Sequence, residues 1–179
     1  MLRTTEKLAL VFILMFAVIS NAEAAAQKRQ VNAKRPAAKP SQNQDTIYVQ
    51  KVNAFLKDPR WIPGTEYNSS QKPKLSKYRC VGCCAFTADF VHYVFGKGTP
   101  RTGTLFNSPS QIKAGDIVIF HKPQHWIVVL ARRGNNLETL EGNWMGKVVR
   151  SKDAYTLNGN TIMRNGKQFR TFLQGYHYR

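Results

Sequence analysis

The sequence is poor in acidic residues. Only 10 of its 179 residues are Asp or Glu, against 27 Lys and Arg, and the formal net charge is +17. The two cations near the start, Arg3 and Lys7, are balanced by two acids in the first 24 residues, so the excess lies in the rest of the chain. Such a charge favours anionic partners, among them nucleic acid and anionic envelope polymers. The simplest alternative is that the charge serves solubility alone.

The sequence also lacks a long apolar run. Its longest, Leu8 to Ile19, has twelve residues, whereas a membrane-spanning helix needs about 20. With a basic start before it and small residues after it, this run has the three-part pattern of a secretory signal. We predict a signal peptide over 1–24, with cleavage as late as residue 26, and a secreted or periplasmic protein without a permanent membrane span. A retained membrane anchor is the alternative.

Cysteine is scarce and confined to one place. Cys80, Cys83 and Cys84 are the three cysteines of the chain. An odd number leaves at least one thiol unpaired within an exported chain, and neighbours this close rarely reach disulfide geometry. Clustered thiolates also bind zinc, but no second Cys or His pair at ligand spacing lies nearby. We therefore predict no metal and no other cofactor.

The composition divides the rest of the chain in two. Residues 25–45 are rich in Lys, Arg, Pro, Ala and Gln and nearly free of large apolar residues, which predicts a basic flexible linker. Residues 46–179 have the usual length of one domain with one core, and we expect a monomer. This domain opens with a short amphipathic pattern over Thr46–Leu56, stopped by Asp58-Pro59.

Periodicity changes along the domain from helical to strand-like. The best helix is Cys83–Phe95, with apolar residues every three or four positions and Gly96 as its stop. After a loop that extends through Pro109, short apolar runs bounded by turn residues predict strands. The order predicts an α+β fold with an antiparallel sheet. The predicted strands are 116–120, 125–132 and 137–144, with 147–151 and 169–178 as weaker candidates.

Cys83 is the cysteine best placed for chemistry, because the N-terminus of a helix lowers a thiol pKa. A thiolate nucleophile also needs a His brought in from elsewhere in the fold. His125 opens a strand after a Pro-containing turn and is expected to face outward from the core. We favour it over His121, at the end of the preceding strand, over His92, inside the nucleophile's own helix, and over His177 near the C-terminus.

A third group normally orients the imidazole. Side chains alternate along a strand, so Thr139, Glu141 and Asn143 are expected on one face of the strand beside the one that His125 opens. Either Glu141 or Asn143 suits the role. The alternative for the cysteines is that all three are small buried apolar residues.

Three stretches together resemble known enzymes. Residues 82–88 (GCCAFTA) resemble the nucleophile helix of papain-like enzymes. Residues 113–120 (KAGDIVIF), followed by the strand that opens on His125, are similar to the Gly-Asp and His strands of NlpC-type cell-wall peptidases and CHAP domains. Residues 140–144 (LEGNW) resemble the Glu-x-Asn-aromatic pattern of CHAP domains, the cysteine- and histidine-dependent amidohydrolases/peptidases. The similarity covers about a third of the chain.

The resemblance implies a papain-like fold, in which N-terminal helices and the nucleophile helix pack on an antiparallel sheet of about four to six strands. Cys83 is the expected nucleophile, because it places Phe86 at the third following position, where Cys84 would place Thr87. His125 is the expected base. Glu141 would orient it, and Asn143 would help to position the base or the developing oxyanion.

The activity implied is that of a secreted cysteine hydrolase, an N-acetylmuramoyl-L-alanine amidase or endopeptidase of peptidoglycan. It would act through an acyl-enzyme. Peptidoglycan or another anionic envelope polymer is then the expected partner, and no specific nucleic acid is expected. Two alternatives remain: an inactive basic binding protein on the same fold, and the same chemistry on a different amide or thioester.

Overall fold

The computed structural model describes residues 42–121 and 124–179. The expected signal peptide and nearly all of the expected linker lie outside the described residues. Residues 42–45, at the end of that expected linker, belong to the first helix. Among the described residues, every helix is too short or too polar to cross a membrane.

Two α-helices precede the sheet, α1 (Gln42–Lys57) and α2 (Cys83–Phe95). α1 begins four residues earlier than the sequence pattern predicts. α2 has the predicted bounds, because its apolar residues recur at helical spacing and Gly96 ends it in the left-handed conformation, with φ 66°. Both helices bury one apolar face.

The described residues form seven strands, all paired antiparallel, and one short 3-10 helix at Pro109–Gln111. The strands are β1 (Thr104–Phe106), β2 (Ile117–His121), β3 (His125–Arg133), β4 (Asn136–Trp144), β5 (Lys147–Asn158), β6 (Thr161–Arg164) and β7 (Lys167–His177). The hairpin of β3 and β4 is present as predicted. The α+β class is thereby confirmed.

The sheet is larger than predicted and closes on itself. Its order is β1-β7-β2-β3-β4-β5-β6, and an additional pairing joins β6 to the first part of β7. Strands β2 to β7 therefore form a ring, with an inner and an outer face. The expectation of four to six strands was wrong because β1 and β6 have only three and four residues, too few for a periodic pattern to be recognised.

The core has two layers that follow the alternation of the strands. On the outer face, residues such as Val128 and Leu140 pack with Phe86 and Phe90 of α2. Inside the ring, a second cluster forms from strand residues such as Val118, Phe120, Ile127, Val129 and Leu137. The helices therefore lie against one side of the ring and leave its interior to the strands.

α2 lies directly on the backbone of β4. A Cβ built on Gly142 would lie 2.3 Å from Cβ of Phe86, much closer than two carbon atoms approach. Phe86 is fully buried, and its ring makes T-shaped, edge-to-face contacts with the rings of Phe55 and Tyr67. Gly142 therefore sets the distance between α2 and the strand that carries Glu141.

We expect Gly142→Ala to lower the free energy of unfolding by about 1–3 kcal/mol, because the added methyl group must displace Phe86 and its helix. Chemical denaturation measures the effect. Gly98→Ala is the matched control: nothing lies within 4 Å of a Cβ at Gly98, so a change within about 0.5 kcal/mol is expected there. Equal stability of the two variants would show that the contact does not constrain the fold.

Candidate active site

Cys83 is the first residue of α2 and is partly buried. The residue before it, Gly82, has φ 60° and ψ −134°, a conformation that only glycine adopts readily. A Cβ at Gly82 would also lie 3.2 Å from both Nδ2 of Asn143 and Cα of Ser69. The chain therefore turns sharply into the helix at a point where the backbone conformation favours glycine and a side chain would crowd its neighbours. Cys83 follows at the helix N-terminus.

His125 is the first residue of β3 and is only 5% exposed. The expectation that it faces outward from the core was wrong, because its ring is enclosed by partners at the end of the sheet. Nε2 lies 2.9 Å from Oε2 of Glu141. The Trp144 ring stands nearly edge-on to it, with centroids 5.5 Å apart.

The Cys83 thiol and the His125 ring interact closely enough to shift each other's pKa. Since Nε2 is engaged by Glu141, Nδ1 is the nitrogen that remains for the sulfur. Burial raises the pKa of Cys83, but the hydrogen bond with His125, the His125 charge and the backbone N–H groups of Trp126 and Cys84 outweigh it, and the pKa is lowered. Burial lowers the pKa of His125, while Cys83 and Glu141 raise it by more. Both shifts favour a thiolate–imidazolium pair.

Glu141 is fully buried, and each of its oxygens has a partner. Oε2 accepts hydrogen bonds from the Tyr155 hydroxyl at 2.9 Å and from His125. Oε1 accepts from the Thr139 hydroxyl at 3.3 Å. Nη1 of Arg164 lies 3.8 Å from Oε2. A buried carboxylate needs such partners, and together they fix the oxygen that faces His125.

Tyr155 and Arg164 were missed by the sequence analysis. Arg164 donates to the Tyr155 hydroxyl at 3.0 Å, and its guanidinium carbon lies 3.5 Å from the centroid of the Trp144 ring. Tyr155 lies in the part of β5 beyond the predicted strand, and Arg164 lies in the unpredicted β6. No local signal links either residue to Glu141; closure of the ring brings them together.

Asn143 is not placed where simple strand alternation predicts. The register of β4 and β5 shifts between Glu141 and Trp144, and Asn143 has φ 62°. Its amide nitrogen lies beside Gly82, at the start of α2. Glu141 is therefore the residue that contacts His125, while Asn143 lies next to the backbone that leads into Cys83.

The thiols of Cys80 and Cys84 interact with each other without forming a disulfide. A hydrogen bond between the Cys84 and Cys80 thiols raises the pKa of Cys84 far above its ordinary value and lowers that of Cys80. All three cysteines are free thiols. Only Cys83 has a His as its partner, which agrees with the register that Phe86 indicates.

The remaining histidines lie away from the thiol. His92 and His121 are exposed. Nδ1 of His177 lies 2.9 Å from Oδ1 of the buried Asp116, whose pKa is raised to about 6 because burial outweighs the hydrogen bond. In the described part of the chain, no three His, Cys, Asp or Glu side chains are grouped so that they could hold a metal ion.

Comparisons with protein-family models, with curated proteins and with solved structures gave no match to this chain. The site is therefore interpreted from its own geometry and from the residue patterns of the sequence.

We expect alkylation of Cys83 by iodoacetamide to reach half its maximal rate at a pH below that of an ordinary thiol, because His125 stabilises the thiolate. In His125→Ala the midpoint should rise, and the rate at pH 6.5 should fall, because a smaller fraction of Cys83 is then present as thiolate. Mass spectrometry of the labelled peptide separates Cys83 from Cys80 and Cys84. His121→Ala, which removes an exposed His, is the control, and identical profiles for the two variants would contradict the pairing.

Glu141→Gln should lower the pKa of His125, because it removes the negative charge that favours the imidazolium while burial continues to oppose it. An NMR titration in a Cys83→Ala background measures this without the thiol. Asp153→Asn is the matched control, since Asp153 is exposed and the substitution changes the net charge equally. A His125 pKa that is the same in both variants would show that Glu141 does not tune the base.

Proposed function

We propose that the protein is a secreted cysteine amidohydrolase or peptidase of the CHAP type that cleaves amide bonds in peptidoglycan. The observation that carries the proposal is the contact chain from Cys83 through His125 to Glu141. These residues come from α2, β3 and β4, in the order that the resemblance implies. The nucleophile helix also packs on an antiparallel sheet, as a papain-like fold requires.

In the proposed reaction, the Cys83 thiolate attacks the carbonyl carbon of the amide and forms a tetrahedral intermediate. His125 in its imidazolium form then gives its proton to the leaving amine nitrogen, and the C–N bond breaks. The product is a thioester between Cys83 and the acyl group. His125, now neutral, takes a proton from water, whose oxygen attacks the thioester. The carboxylic acid product is released. Cys83 is again a thiolate and His125 is again an imidazolium, so both groups have returned to their starting state.

Two groups support the negative charge that develops on the carbonyl oxygen. The backbone N–H groups at the start of α2 point out of the helix and carry its positive dipole. The Asn143 amide, next to Gly82, would add a side-chain donor on the same side of the sulfur. Donors fixed before the reaction stabilise an oxyanion most effectively, and the contacts at Gly82 and Gly142 hold this arrangement rigid.

Three features favour peptidoglycan as the substrate. The pattern Glu141-Gly142-Asn143-Trp144 resembles CHAP domains, many of which act on cell walls. The start of the chain has the pattern of an export signal. The net charge of +17 would hold the enzyme on an anionic envelope.

The proposal is tested on purified peptidoglycan by turbidity loss and by mass spectrometry of the released fragments. Cys83→Ala should lower the rate by at least about a thousandfold, because Cys83 is the one cysteine that has His125 as its partner. His92→Ala, an exposed residue of the same helix, should keep the activity of the unmodified protein. New amino and carboxyl ends in the fragments identify the cleaved amide.

Wall lysis that is equal with and without Cys83 would refute the mechanism. Binding to peptidoglycan without any Cys83-dependent fragment would favour the alternative of a basic binding protein on the same fold. If the protein cleaves another amide or thioester and leaves peptidoglycan intact, the proposed reaction mechanism would stand and peptidoglycan would be rejected as the substrate.

A further inference from the structure

A cleft of about 500 Å³ lies in the loop that leads into the nucleophile helix. Its lining includes Lys72, Lys77, Arg79, Tyr78 and Cys80, and no acidic side chain. The three cations are exposed, and in the described part of the chain none of them forms an ion pair. The volume lies in the range of small-ligand sites.

The loop that forms this cleft is fastened to the nucleophile helix. Asp89 of α2 is fully buried, and its carboxylate accepts backbone hydrogen bonds from Lys74, Leu75 and Ser76 at 2.8–3.0 Å. These bonds satisfy the Asp89 charge from inside the loop. Among the described residues, the side chains of the three cleft cations have no such partner, so their charge is available to a ligand.

The base of the loop is closed next to Cys83. The Gly82 amide donates to the Gln71 carbonyl at 2.9 Å, so residues 71 and 82 are held together. The Ser76 hydroxyl donates to the Gly98 carbonyl and accepts from the Tyr78 amide. A loop held at its base and middle keeps its shape, and the cleft therefore has a fixed position relative to the nucleophile.

The cleft lies close to the start of α2. Cys80 lines the cleft, and its thiol interacts with that of Cys84, the residue after Cys83. A substrate bound with its amide at Cys83 would therefore have the cleft nearby. This proximity distinguishes the three cleft cations from exposed cations on other elements, such as Lys57, Lys152 and Lys167.

We propose that this cleft is a subsite for a carboxylate of a peptide substrate, and that Lys72, Lys77 and Arg79 determine a preference for acidic peptides next to the cleaved bond. The inference rests on the proposed hydrolase function and adds the chemical class of the substrate. Arg pairs with a carboxylate through two parallel hydrogen bonds, and Lys adds point charges. A nucleic-acid strand suits the cleft less well, because such sites use several aromatic platforms along a groove, whereas Tyr78 is the single aromatic residue of the lining.

Peptide binding tests the subsite without catalysis. The whole protein carrying Cys83→Ala is titrated with a short amidated peptide that contains two glutamates, and with the same peptide carrying glutamines. We expect binding of the glutamate peptide, with NMR shifts in residues 71–82, and at least about tenfold weaker binding of the glutamine peptide, since charged hydrogen bonds are lost.

Charge variants provide the matched comparison. Lys72→Gln, Lys77→Gln and Arg79→Gln together should weaken binding of the glutamate peptide about tenfold or more. Lys57→Gln, Lys152→Gln and Lys167→Gln together remove the same charge from exposed positions outside the cleft, and should change binding less than about twofold because distant charges are screened. Equal weakening by both sets, equal binding of both peptides, or tighter binding of a single-stranded oligonucleotide at the cleft would overturn the proposal.

A kinetic measurement separates this inference from the proposed function. If Cys83-dependent hydrolysis of peptidoglycan occurs, the cleft variant should raise KM and leave kcat near its original value. Hydrolysis with an unchanged KM would contradict the proposed subsite and leave the proposed hydrolase function standing. Selective binding of the glutamate peptide without any hydrolysis would support the subsite and refute the hydrolase.

Discussion

The buried Glu141 carboxylate is the constraint on which the rest of the structure depends. An unpaired charge at full burial costs several kcal/mol, so the fold must bring partners to it. Thr139 comes from the same strand, His125 from β3, Tyr155 from β5 and Arg164 from β6. The carboxylate is satisfied only when these strands have taken their places in the ring. Closure of the sheet and orientation of the candidate base are therefore one structural requirement.

The position of Cys83 depends on two glycines, where a side chain would not fit without displacing its neighbours. Gly142 lets Phe86 rest on the backbone of β4, and Gly82 lets the chain turn into α2 beside Asn143. With α2 seated by Phe86, its first residue, Cys83, meets the ring nitrogen that Glu141 leaves unoccupied. A displacement of about 1 Å is enough to impair catalysis. Packing at two glycines thus contributes to whether Cys83, His125 and Glu141 are held in contact.

The sequence revealed the parts of this structure that are encoded locally. Glu141 was favoured over Asn143 only through the resemblance to CHAP domains, whereas the helix from Cys83, the β3–β4 hairpin and the candidate positions Cys83 and His125 follow from periodicity, helix position and turn residues. Tyr155 and Arg164 do not, because their relation to Glu141 arises from pairing across strands distant in sequence. The bulge that turns Asn143 away from Glu141 breaks the alternation of side chains along β4. No local pattern in the sequence predicts it.

The uneven use of charge connects the fold to its proposed substrate. The chain has few acids, and most of those in the described residues have structural partners: Asp89 holds the loop, Asp116 pairs with His177, Glu138 with Arg150 and Glu141 with His125. Little negative charge is left to neutralise the many Lys and Arg side chains. The positive surface therefore follows from the composition, in which 27 Lys and Arg face 10 Asp and Glu. In the loop next to Cys83, exposed Lys and Arg side chains line a cleft, and the proposed anionic substrate would gain both attraction and a defined position there.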